Sequence, residues 1–136
     1  MKNLLAAIFG KTSGSALSSD VGGRIYLDEA PAGCEFPYVV FQVISGNPDN
    51  VFAKKGKDVL IQFSLFSTSK GATEITTMYA DLIALFDECS LTITSNNLVL
   101  MAWQNLVTMV DEITTPEGTG TLRHWAVDFE VMTQES

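Results

Sequence analysis

One histidine, two cysteines and sixteen carboxylates are the groups in this chain of 136 residues that most readily move protons, attack an electrophile or hold a cation. A general base needs a partner that orients it. His124 stands in an alternating run, Thr121 to Met132, on the face opposite Trp125, Val127, Phe129 and Val131 and beside Asp128 and Glu130. That face has two readings, an acid–base pair or a surface histidine, and the second is the simpler. Cys34 and Cys89 form no CxxC pair, and two cysteines with one histidine are too few for a zinc site. Cys89 follows an apolar helical face and reads as core; Cys34 lies in a Pro/Gly loop and reads as exposed. With no secretory signal in view, a disulfide is not expected. Asp87-Glu88 falls at a helix end and Asp111-Glu112 at the opening of a loop, and neither has the spacing of a calcium loop. Hydrolase, phosphate-loop, zinc-protease and dinucleotide fingerprints are missing. Met78, Met101, Met109 and Met132 read as packing, and Trp103 and Trp125 as core of a final hairpin. The expectation is a protein with no catalytic, cofactor or metal site.

The elements that position these groups follow from periodicity. Asn3 to Phe9 reads as a short helix packing Leu4, Leu5, Ile8 and Phe9 and ending at Gly10. Ala16, Leu17 and Val21 suggest a weak helical turn before Gly22-Gly23. Arg24 to Leu27 reads as extended and residues 28–37 as a loop punctuated by Pro31, Gly33 and Pro37. Tyr38 to Ile44 is apolar on both alternating sets, so the strand is expected to be covered on both sides, by helices on one and by a second sheet or a neighbouring subunit on the other. Residues 45–57 read as an overlong loop with a basic tip, and Val59 to Phe66 as the returning strand, with Val59, Ile61, Phe63 and Leu65 on one side. Ile75, Met78, Tyr79, Leu82, Ile83 and Phe86 recur with helical spacing and mark an amphipathic helix over 73–88, with Thr73 as its N-cap and Glu74 in its first turn. Leu91 to Thr94 reads as a short strand, Leu98 to Val110 as a longer one, 111–120 as a loop and Thr121 to Met132 as the closing strand. The sum is one α+β domain over residues 1–136: a largely antiparallel sheet with a long amphipathic helix and a short N-terminal helix packed on one face.

Composition points to assembly. The chain is 46% hydrophobic and only 18% charged, so some of its surface is expected to be covered by partners, unless Ser, Thr, Asn and Gln supply the polar exterior. The net charge of −8 argues against a general nucleic-acid binder. Residues 1–72 carry seven basic and six acidic side chains, whereas residues 73–136 carry ten acidic ones against Arg123 alone. The apolar run Leu4 to Phe9 is too short to span a membrane. Folding in a cytoplasm is expected.

Residues 22–46, GGRIYLDEAPAGCEFPYVVFQVISG, carry a resemblance. An RIY strand, an aPaG loop, an FPYVVF strand and a following SG resemble the small tail-completion and tail-terminator proteins of long-tailed bacteriophages. The N-terminal helix, the strand Val59 to Phe66, Gly71 with the long helix, and the closing strand Trp125 to Val131 fit in the same order. The resemblance implies a structural virion protein at the head-proximal end of the tail. It would be a homohexameric ring that caps the tail tube, stops its polymerisation and offers the surface that joins the head. It implies no catalytic residue and no cofactor. Expected partners are further copies of the chain, the tail tube protein and a head–tail connector protein, with DNA only as cargo passing through the lumen and no membrane. The acidic C-terminal half would then line a channel that repels phosphate. The contact residues expected are Val51, Phe52, Lys54, Lys55 and Lys57 in the first long loop and Thr115 and Glu117 in the second. A neck connector (stopper or adaptor), a tail-tube subunit and a small cytoplasmic enzyme or ligand-binding domain are the alternatives.

Overall fold

The computed structural model describes residues 2–48, 56–69, 71–115 and 118–135, with 113–115, 118, 119 and 135 described by backbone alone. Three helices, α1 (Lys2–Thr12), α2 (Ala16–Asp20) and α3 (Thr73–Phe86), accompany six strands: β1 (Ile25–Leu27), β2 (Tyr38–Pro48), β3 (Gly56–Ser67), β4 (Thr92–Ile93), β5 (Asn96–Thr115) and β6 (Gly118–Glu135). The strands form one sheet in the order β1-β2-β3-β6-β5-β4, antiparallel throughout except for β1 beside β2.

Alternation decides which side of the sheet meets the helices. Val59, Ile61, Phe63 and Leu65 of β3 are all buried on one face, beside Val39 and Phe41 of β2 and Val127, Phe129 and Val131 of β6. Against them α3 presents Ile75, Met78, Leu82 and Phe86, all fully buried, at the spacing that aligns one side of a helix. The ring of Phe63 is the hub. It lies 5.6 Å from Phe41, 5.5 Å from Phe129 and 5.0 Å, edge-on, from Phe86. Leu4 and Ile8 of α1 and Leu17 of α2 close the same core.

Helix ends depart from expectation in instructive ways. Helix α1 continues through Gly10 to Thr12, and Phe9, expected in the core, is 51% exposed because the buried stripe is Leu4, Ile8 and Thr12. Helix α2 is capped by the Ser15 side chain, which accepts from Ser18 N at 3.1 Å. The chain leaves it through Gly22 and Gly23, both at positive φ, where a side chain would be strained. At α3 the N-cap is Ala72, not Thr73, and it makes no side-chain cap; instead Ser67 Oγ donates to Glu74 Oε1 at 2.6 Å, tying the first turn to the end of β3. The other end is lashed to β5: Glu88 N donates to Met101 O (2.8 Å) and Trp103 N donates to Asp87 Oδ1 (3.0 Å).

Both expected long loops are shorter than the sequence suggests. Strand β2 runs on to Pro48 and β3 begins at Gly56; β5 reaches Thr115 and β6 starts at Gly118. Asp111 and Glu112, assigned to a loop, lie within β5 opposite Leu122 and Thr121. Three register shifts break the alternation, between Val43 and Ser45, between Leu98 and Leu100, and between Trp103 and Asn105. A bulge adds a residue to one strand and turns the side chains beyond it. That is why Ile44, expected to share a face with Tyr38 and Val40, is exposed.

Two outcomes follow. Phe63→Ala removes the hub of the aromatic cluster and lowers stability by about 3–5 kcal/mol in urea unfolding followed by circular dichroism. Asp20, at the end of α2, has its carboxyl pushed up to about 6 by burial, with the neighbouring Asp81 of α3 adding to the shift. A raised carboxyl favours folding fully below its ordinary value of 3.8 and loses that contribution as pH rises through 6. The Asp20→Asn variant therefore shows a flatter melting temperature between pH 4 and 6 than the parent protein and melts higher at pH 7.

Candidate assembly surface

The face of the sheet turned away from the helices carries His124 and Asp128, set among rows of side chains that run across the strands. One row is aromatic. Tyr38 stacks on Phe66 (4.7 Å, 23°) and Phe66 on His124 (4.3 Å, 19°), with Phe36 and Tyr26 flanking Tyr38 at 5.2 and 6.5 Å. The next row is small, with Val40, Ser64 and Ala126 buried side by side. The next is polar: Gln42, Gln62, Asp128 and Asn105 stand abreast on four strands, and Gln62 Nε2 donates to Asp128 Oδ1 at 3.0 Å.

The segment 28–37 leans over this face. Arg24 holds it, donating from Nε to Pro37 O (3.0 Å) and from Nη2 to Phe36 O (3.4 Å), with Glu35 at 4.0 Å. The Phe36–Pro37 peptide is cis. Between the segment and the strands lies a groove of about 560 Å³ lined by Asp28, Glu29, Cys34, Phe36, Tyr38 and Phe66 among others. Thus the second cover expected for β2 comes partly from its own chain. A smaller hollow of about 410 Å³ at the other end of the face is walled by Asp58, Asp128 and Glu130.

None of these groups is assembled for catalysis. His124 is not a surface histidine: it is half-buried under Phe66, its Nε2 has no hydrogen-bond partner, and burial pushes its pKa down against an opposing pull from Asp111. Asp128, the acid considered as its partner, instead accepts from Gln62. Cys34 and Cys89 are both free. The Cys34 thiol lies 3.5 Å from Tyr26 Oη, and that contact, with burial, raises the tyrosine pKa. Cys89 packs at the core margin, 3.7 Å from Met101 Sδ, where burial raises its thiol pKa. Among the described residues no group of three or more His, Cys, Asp or Glu is placed to hold a metal ion.

A family model for tail completion protein gp17 matches residues 3–134. The chain belongs to that family. It is a phage tail completion protein, structural and not enzymatic. A chain from the virion of a native gene transfer agent particle shares its fold, with a TM-score of 0.74 at 16% identity over 98% of this chain and 96% of that one. A second solved chain matches with a TM-score of 0.55 at 13% identity, over 96% and 94%. No curated protein matches the sequence.

Of the contact residues expected in this tail completion protein, Val51, Phe52, Lys54, Lys55 and Glu117 lie outside the described residues. Lys57 is exposed near the start of β3, paired with Pro48 and Thr133. Thr115 is the last residue of β5, opposite Gly118. Lys57 and Thr115 therefore sit at opposite ends of the long strands, since Lys57 is opposite Thr133 of β6 and Thr115 opposite Gly118. The sequence reading missed the exposed apolar side chains of β5, Val99, Trp103, Val107 and Val110. Trp103, expected in the core, lies on the rim beside the end of α3. The signal was in the run itself, which is apolar at too many successive positions for one covered face.

The state of His124 has a measurable consequence. A depressed histidine pKa contributes stability above its ordinary value of 6.5 and loses it as pH falls through the folded value. The protein therefore loses melting temperature on acidification below pH 6.5 through this group, and the His124→Phe variant, which keeps the stack on Phe66, loses less over the same interval.

Proposed function

We propose that this tail completion protein closes into a ring of six copies on the head-proximal end of the tail tube, stops further subunits from adding and presents the surface to which the head joins. The observation that carries the reading is the family match along residues 3–134. A similar fold in a gene transfer agent virion supports it, and so does an exterior with apolar side chains left open and no catalytic grouping among the described residues. A ring follows from a heterologous contact whose rotation closes, and a closed ring binds a tube end without propagating it. Part of the acidic C-terminal half lines the lumen in this arrangement, so DNA phosphate slides past without sticking. The lysines near the β2–β3 turn reach the tube protein or the adjacent copy.

Negative-stain imaging of the protein mixed with tail tubes tests the reading. Rings seated at one end of tubes of fixed length are expected; binding only to heads or portal complexes would instead make the protein a neck connector. Neutralising Lys54, Lys55 and Lys57 together to alanine weakens capping about tenfold while leaving the circular dichroism spectrum intact, the scale of three exposed ion pairs. Capping that is unchanged in this variant removes the turn from the contact.

A further inference from the structure

We infer that the open outer edge of β5 from Gln104, together with the ribbon formed by residues 111–115 and 118–122, is the surface by which one copy grips the next, an inference that rests on the ring reading. Three observations converge on it. The first is the edge. Strand β4 pairs only with Asn96 and Asn97, and Met101 O and Trp103 N are taken by the end of α3. From Gln104 onward, among the described residues, β5 has a strand partner on one side only. Edges of this kind are ordinarily blunted by charged side chains, proline, a bulge or a covering segment, because their free backbone groups recruit other chains, and the stretch Leu106 to Val110 has no charge, proline or register shift. Residues 98–115 hold neither lysine nor proline, and Val107 and Val110 are 46% and 58% exposed there.

The second is the arm. Strand β3 leaves β6 at Arg123, so among the described residues 111–115 and 118–122 pair only with each other. They form a ribbon of two strands about 17 Å long. A lone two-stranded ribbon is marginal in water, so this one is built to be covered.

The third is charge, which selects the occupant. Asp111 and Glu112 are exposed on the arm, and Arg123 is the sole basic residue after position 72. Two arms brought edge to edge would repel. The basic side chains lie in the first half of the chain, with Lys2 and Lys57 exposed. A second copy therefore offers complementary charge only through a different part of its surface. The contact is heterologous, which is the kind that closes into a ring.

The test is the Val107→Lys/Val110→Lys double variant, read by native mass spectrometry of the protein alone and by negative stain on tail tubes, with circular dichroism as the fold control. Both positions are exposed, so the spectrum and melting temperature stay those of the parent protein. The concentration needed for half-assembly should rise about a hundredfold, as expected for charges buried without partners at an interface. Val99→Lys, equally exposed on the same strand but outside the open edge, should assemble normally. Should the double lysine variant not fold, D111K/E112K carries the same test through charge. Rings formed equally well by the folded variant would overturn the arm and leave the ring reading standing, as would loss of assembly in Val99→Lys. A parent protein that stays monomeric even on tubes would overturn both.

Discussion

Everything in this fold hangs on the contact between Phe63 at the centre of the sheet and Phe86 at the end of α3. The two rings meet edge-on at 5.0 Å, with Phe41 and Phe129 wedged alongside from the neighbouring strands. A sheet with one apolar face must bury it, and a fourteen-residue helix is the main cover on offer. By seating the last turn of α3 over the middle strands, this cluster sets where the helix stops. It also sets where Asp87 and Glu88 fall, and so which backbone groups of β5 are bound and which are left open.

The parts of the fold legible in the sequence are those where one periodicity runs unbroken. The alternation of Val59, Ile61, Phe63 and Leu65 and the helical spacing from Ile75 to Phe86 each state a buried face without ambiguity, and both faces are buried. Strand β5 is the counterexample. Two bulges within it shift the alternation at Val99 and again at Gln104, so no single parity describes the strand and Trp103 was assigned to the core. Glycine and proline near 45–57 and 111–120 suggest long loops, yet the ladder continues through 45–48 and 56–57 of the first segment and through 111–115 and 118–120 of the second. Cross-strand pairing outweighs local turn preference here, and a single sequence carries no trace of its partner strand.

Function was legible for a different reason. The run from Gly22 to Gly46 resembles that of tail-completion proteins, and four groups able to do chemistry are engaged elsewhere: His124 stacks on Phe66, Asp128 accepts from Gln62, Asp87 accepts from the Trp103 amide, and Cys89 lies against Met101. What the sequence could not locate was the exposed apolar edge, because exposure is a property of the sheet order. Strand β6 lies between β3 and β5, so the outside of β5 becomes an edge only once the whole sheet is drawn.

That strand order also sets a schedule for synthesis. The last strand in the chain is a central strand, joining residues as distant as Gln62 and Asp128. Until it leaves the ribosome, β3 has an open side, β5 lacks its long strand partner and the arm does not exist. A nascent or truncated copy thus lacks the feature by which we infer that copies join. Chain order thus couples joining to completion of the sheet: a copy that stops before β6 has no arm to offer.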